Sequence, residues 1–383
     1  MKQLFILMQL KQTKRNSLIV MCVVSFLGLQ SSAQTVDSAS IPAKKIDLAA
    51  IKISGYVDAY YAYYTDSVGA GNFQKFPSTS PRSNQFGLNI AILNAQYDGE
   101  KVRGIVTLNF GDIPKATWSG TYNYIMEAHA GVRLCKKLWL DAGFFRTHFG
   151  TEALLPKENF LSSVSVNTFY EPYFEAGARL NFVPNDKLAI TVYALNGYNI
   201  YEDNNEKKSL GMLVTYALGD KGNIGYSNYL GDDAPVGDSL SRFRTHNNLF
   251  LNYQIKKLKI QVGGDYCTQK NSDTTRTKTA SMYSGVLSLK YQLKPKYAIA
   301  ARGEIFNDPQ GFMSGVMVDK EGKSTGFKLW GATVGVEYKP NDNTYIRLEG
   351  RQIQMDKKQE VFYWDGKSLA SRSEILFNIG ISF

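Results

Sequence analysis

Charged residues recur at a spacing of two along several stretches of this sequence. Arg302 and Glu304 are separated by Gly303, and Arg347, Glu349 and Arg351 by Leu348 and Gly350. Successive side chains of an extended chain point to opposite faces. The spacing therefore gathers the charges on one face and leaves Ile299, Ala301, Gly303 and Ile305, or Ile346 and Leu348, on the other. Arg103, Glu127, His129, Arg133, Asp141, Glu175, Arg179, Lys259, Asp265, Lys290 and Glu337 fall on the charged side of their own alternating segments. Opposite charges on neighbouring strands make cross-strand bridges that stabilise a wall, and unpaired ones hold water and ions. The bases Arg103, Arg133, Arg179, Lys259, Lys290, Arg302, Arg347 and Arg351 are about matched in number by the acids Asp58, Glu127, Asp141, Glu175, Asp265, Glu304, Glu337 and Glu349, which predicts weak ion selectivity.

The histidines raise a second chemistry. His129 lies beside Glu127, His148 ends a strand pattern, and His246 follows Ser239 and Ser241. A hydrolase needs a nucleophile, a base and an orienting group within hydrogen-bond reach, and no such motif is complete here. A barrel-type hydrolase built on His246 is one alternative reading, and a surface receptor or adhesin acting through its loops is another. Glu202-Asp203 and Asp232-Asp233 read as solvated loop tips rather than cation sites. No glycine pattern marks a phosphate loop, and no motif requires a cofactor. Beyond residue 33 the cysteines are Cys135 and Cys267, too few for a disulfide framework or a metal site.

Charges at period two need strands to carry them. The apolar run Leu18–Leu29, preceded by Lys11, Lys14 and Arg15 and followed by Ser31-Ser32-Ala33, reads as a secretory signal over residues 1–33, with a start at Met8 also compatible. Cys22 lacks the small-residue context of a lipid-anchor site. Cleavage removes Lys2, Lys11, Lys14 and Arg15 and no acid, taking the formal charge from +10 to +6 with no basic run. Nucleic acid is thereby a poor partner. Residues 34–50 read as a short periplasmic lead-in. No later stretch reaches the roughly 18 apolar residues a spanning helix requires, so insertion into a membrane must be by a closed barrel.

Residues 51–383 supply it. About sixteen alternating segments are separated in turn by tight turns and longer polar loops, the arrangement of an up-and-down antiparallel barrel. Tight turns fall near Gly99, Lys136, Pro184, Asp220, Lys256, Pro295 and Asn341, and long loops over 67–83, 112–121, 148–169, 198–207, 231–243, 269–279, 307–324 and 356–371. Tyr97, Phe182, Tyr216, Tyr253, Tyr291 and Tyr338 precede the turns, with Leu134 in that place before Cys135 and Phe383 at the equivalent place on the last strand, as an interfacial girdle would. In the segment 84–98 the dry parity shifts near Ile92-Leu93, which predicts a bulge. Cys135 falls at the turn end of its strand and Cys267 at the loop end of its own, beyond disulfide reach. The last strand ends Ile375-Leu376-Phe377-Asn378-Ile379-Gly380-Ile381-Ser382-Phe383, with alternate residues dry. A barrel of this strand number is too wide for side chains to fill and holds water, and charges facing lipid would cost a few kcal/mol each at the midplane. The charges must then line the lumen.

The terminal aromatic strand resembles that of bacterial outer-membrane barrels, in which it is the signal read by the barrel-insertion machinery. The stretches Ile53–Tyr64, Glu127–Leu134, Lys137–Glu152 and Tyr170–Leu180 are similar to the OmpL-like β-barrel porin family of Bacteroidota-type outer membranes; the second half of the chain resembles it mainly in pattern. The resemblance implies a passive channel for small hydrophilic solutes and ions among outer-membrane lipids, with short turns periplasmic and long loops extracellular. By analogy with general porins, the loop after His148 folds inward as a constriction, with Glu152, Lys157 and Glu158 facing lumen arginines, and the barrel forms a homotrimer. Packing of that loop over the rim is the competing expectation.

Overall fold

The computed structural model describes residues 50–66, 69 and 71–383. The expected signal segment, with Met8 and Cys22, and all of the lead-in but residue 50 lie outside them. The strands are β1 Ile51–Tyr64, β2 Gln85–Asp98, β3 Val102–Phe110, β4 Ile125–Cys135, β5 Leu138–Arg146, β6 Phe174–Phe182, β7 Leu188–Leu195, β8 Ser209–Ala217, β9 Gly222–Asp232 and β10 Phe243–Ile255. They continue with β11 Leu258–Gln269, β12 Ala280–Lys294, β13 Tyr297–Asn307, β14 Met317–Val318, β15 Ser324–Thr325, β16 Lys328–Asn341, β17 Thr344–Met355, β18 Phe362–Trp364, β19 Lys367–Leu369 and β20 Ser371–Ser382. The barrel is β1–β13, β16, β17 and β20, each paired antiparallel with its neighbours; β14–β15 and β18–β19 are separate small hairpins.

Closure is made by β1 against β20, in register from Tyr56 opposite Ser382 to Tyr64 opposite Glu374. One residue further, Gly55 and Phe383 exchange backbone hydrogen bonds of 2.8 and 3.1 Å. A Cβ on Gly55 would sit 2.5 Å from the Phe383 ring, so glycine is what lets the terminal aromatic lie across the seam. The pleat sorts the faces as period two dictates. On β20, Ile375, Phe377, Ile379 and Ile381 are exposed outward while Arg372, Glu374, Leu376 and Asn378 are buried inside. β13 alternates in the same way, with Arg302 and Glu304 inside.

Three local features depart from the sequence expectations. The bulge falls at Asn89, where Asp58 pairs with Ile90 and Ala59 with Leu88, three residues before the predicted Ile92-Leu93. It turns both Asn89 and Ile90 inward, and Asn89 donates to Asp58 at 2.7 Å. The second long loop holds a six-residue helix, α1 (Asp112–Thr117), whose Ile113 is fully buried. The third loop runs longer than expected, because β6 begins only at Phe174. Cys135 and Cys267 are both free thiols.

Candidate functional site

The third long loop, residues 147–173, crosses the interior of the barrel. It carries Leu154, Leu155, Leu161, Val164 and Val166, all buried. Leu154 and Leu155 pack with Tyr56, Ile90, Met126 and Phe174 on β1, β2, β4 and β6. Val166 packs with Met282 and Phe306 on β12 and β13, across the lumen, and with Ile353 on β17, a strand whose Tyr345 packs in the first cluster. Burying such side chains is worth roughly 1.5–3 kcal/mol each, which draws an otherwise irregular segment off the rim.

A buried segment without a ladder must satisfy its peptide groups elsewhere. The wall charges do this. The backbone N–H groups of Ser162 and Ser163 donate to Glu349, the latter at 3.1 Å, and the Ser163 hydroxyl donates at 2.8 Å. Val166 N–H donates to Glu304 at 2.6 Å. In the opposite sense Arg302 donates to the Ser163 carbonyl at 2.6 Å, and Arg347 to the carbonyls of Pro156 and Asn159 at 2.8 and 3.0 Å. Asn167 donates to Asp265 at 2.7 Å, and Gln261 to the Thr151 carbonyl at 2.6 Å. Two wall glycines make room for the crossing: a Cβ on Gly263 would stand 1.9 Å from the Thr151 hydroxyl, and one on Gly335 would stand 2.7 Å from Leu161.

The residues predicted from sequence fall into two groups. Asp141, Glu175, Arg302, Glu304, Arg347, Glu349 and Arg351 point inward but are buried against partners. Asp141 takes Arg103 at 2.6 and 2.7 Å, Arg179 at 3.1 Å and Asn181 at 2.6 Å. Arg351 bridges Glu304 at 2.7 Å and Glu374 at 3.6 Å. Arg103, Glu127, Arg133, Arg179 and Lys290 keep access to water; Arg103 and Arg133 stack over Trp139 at 4.5 and 4.8 Å.

On the loop, Glu152 is buried, accepting from Ser165 N–H at 2.7 Å and pairing with Arg302 at 3.1 Å. Glu158 pairs with Arg146, which the sequence reading passed over. Lys157 stands over the Tyr56 ring at 4.6 Å. Its burial pushes its pKa below the ordinary lysine value. Glu171 is buried near Asp265 and Glu152, and burial with these like charges holds its carboxyl well above the usual range.

The histidines serve the same packing. His148 contacts Glu175 at 2.7 Å and the Asn228 carbonyl at 2.8 Å. His246 lies between Asp265 at 2.9 Å and Tyr198 at 2.8 Å. The Phe149 ring sits 4.7 Å from each imidazole. Ser241, the nucleophile the hydrolase alternative would use, instead donates to Asp232 at 2.9 Å. Asp232 also pairs with Lys207, Asp233 with Arg244, and Asp203 with Lys208. Among the described residues no three potential ligands cluster around a metal position.

At the short-turn end of the barrel the loop is bordered by cavities of about 740, 480 and 420 Å³. The first lies between Glu127, Arg146 and Arg179 on one wall and Lys259 and Gln261 on another. The second lies along Arg103, His129 and Arg179. The two adjoin, sharing Glu127, Thr147 and Arg179 in their linings.

The likeness to solved structures is one of fold. The outer membrane channel DcaP of Acinetobacter baumannii superposes with a TM-score of 0.59 at 12% identity, over 87% of this chain and 97% of that one. An anion-selective porin from Comamonas acidovorans gives 0.59 at 10% identity, over 87% and 99%. A trimer form of OmpT, an outer membrane protein of Vibrio cholerae, gives 0.51 at 12% identity, over 87% and 99%. No curated protein matches the sequence. The model of the family described as "Putative beta-barrel porin-2, OmpL-like" matches residues 50–383, the whole of the barrel. This chain belongs to that OmpL-like porin family, and it is a passive diffusion channel of the bacterial outer membrane.

Proposed function

We propose that the crossing loop sets the narrowest part of this channel, and that small hydrophilic solutes pass between it and the wall. The observation that carries the reading is the anchorage of one loop to opposite walls, through Leu154 and Leu155 on one side and Val166 on the other. In this proposal Arg103, Glu127, Arg133, Arg179 and Lys290 meet the solute. The buried set from Asp141 to Arg351 holds the wall and the loop, and Lys157 and Glu158 border the passage. Transport of this kind requires no catalytic step.

Residues 1–33 are proposed as the secretory signal and 34–50 as a periplasmic lead-in. Phe383 is proposed as the feature recognised by the insertion machinery. A homotrimer is proposed as the working assembly; the trimer form known for a protein of this fold supports it. The test is single-channel recording of the mature protein, folded as judged by heat-modifiable gel migration, in a planar bilayer. Discrete open steps in salt are the expected result, and a folded protein that stays silent would refute the loop as an open constriction.

A further inference from the structure

The smallest of the three cavities, about 420 Å³, lies between the loop segment Lys157–Phe160 and the short-turn ends of β11, β12, β16 and β17. Its lining is unequal in charge. Lys157, Lys259, Lys290, Lys339 and Arg347 border it, against Glu158, Glu337 and Asp342.

Two of those acids are already engaged. Glu337 takes Lys290 at 2.6 Å and Arg347 at 2.8 Å, one carboxylate between two cations. Glu158 takes Arg146. Asp342 lies exposed on the turn. Among the described residues Lys157, Lys259 and Lys339 form no ion pair. Lys259 is also the direct cross-strand partner of Lys290, and like charges facing each other across strands are unfavourable. A small anion between them would relieve that repulsion.

The matched count of wall charges hides this. Of the wall acids, all but Glu127 are buried, whereas Arg133 and Lys259 reach water and, among the described residues, form no ion pair. A charge held against an opposite partner acts on a passing ion as a dipole, and its field falls off faster than that of an unpaired charge.

We infer that this cavity is a binding site for small oxyanions, of phosphate or carboxylate chemistry, and that it makes the channel prefer anions over cations. The inference rests on the channel reading above. It replaces the weak selectivity expected from counting charges along the strands.

The test is the reversal potential of the full mature channel in a potassium chloride gradient, followed by titration with inorganic phosphate from the short-turn side and, separately, with succinate. Chloride preference and a saturable block by phosphate are expected. Lys259→Gln should weaken both about fivefold, and Lys157→Gln should do the same. Lys136→Gln, on a turn outside the cavity, should leave them unchanged. Block by phosphate alone would assign the site to tetrahedral oxyanions, and block by both to small dianions in general.

Equal permeability of the two ions, or cation preference, with no saturable block would overturn the inference while leaving the channel intact. A folded but silent protein would instead remove the channel reading. Equilibrium binding of phosphate to the detergent-solubilised barrel then decides the site: binding weakened by Lys259→Gln supports it, and no binding, or binding unchanged in the variant, overturns it.

Discussion

Four inward charges of this barrel, Arg302, Glu304, Arg347 and Glu349, act as hydrogen-bonding partners for a piece of backbone. Glu349 receives two amides and a hydroxyl from Ser162 and Ser163, and neither serine offers a counter-charge. Hydrogen bonds to a charged group are worth about 1.5–3 kcal/mol each. Glu349→Gln keeps the size of the side chain and removes the charge, so it should loosen the loop by about 2 kcal/mol. The unseated fraction would rise on the order of thirtyfold. Single-channel recordings should show longer visits to a larger conductance, and a variant with unaltered conductance levels would refute this role. Period two showed which face each residue takes, and the inward placement of Arg302, Glu304, Arg347, Glu349 and Arg351 follows from it. It carries no information on depth. Whether an inward charge meets water or a peptide group depends on Ser162 meeting a residue 187 positions away, and no local pattern encodes that.

The loop as an element is held by a carboxyl that prefers to be neutral. Glu171, beside Asp265 and Glu152, has its pKa raised well above the ordinary carboxylate value by burial and by those neighbours. Its contribution to seating is therefore complete below the unfolded-state pKa and is lost as pH rises through the raised folded-state value. The loop should grow more susceptible to protease and to hydrogen exchange over that window, and Glu171→Gln, which fixes the neutral form, should flatten the dependence. A wild-type loop equally protected at acidic and alkaline pH would contradict the assignment. Elements with many repeats of the pattern were legible: the barrel strands and their short turns stand where alternation placed them. Elements whose reason is tertiary were not. The bulge belongs to Asn89 because Asp58 needs a donor there, and α1 forms over Asp112–Thr117 because Ile113 finds a buried niche. The apolar residues of 148–169, Leu154, Leu155 and Phe160 among them, are out of place in a wholly solvated loop, but they do not say which walls receive it.

At the scale of the molecule, closure is the decisive step, since an unpaired edge would leave a row of peptide groups in lipid. β1 and β20 meet over nine register positions, Tyr56–Tyr64 with Glu374–Ser382, and Phe383 adds one exchange with Gly55 beyond them. Deleting Phe383 should leave the thermal stability of barrels that do form nearly unchanged. It should lower the yield of heat-modifiable protein in the outer membrane, as the role proposed for the terminal aromatic at insertion requires. Comparing the two on the same preparation separates the roles, and a large loss of stability with normal yield would assign Phe383 to structure instead.

The crossing loop also works as a tie rod. A thin-walled tube ovalises under side pressure unless something spans its bore, and here the span is anchored to β2, β4 and β6 at one end and to β12 and β13 at the other. Widening the bore and softening the wall are then one event. The variants that conduct best, Glu349→Gln among them, should also be the ones whose barrels yield first on heating.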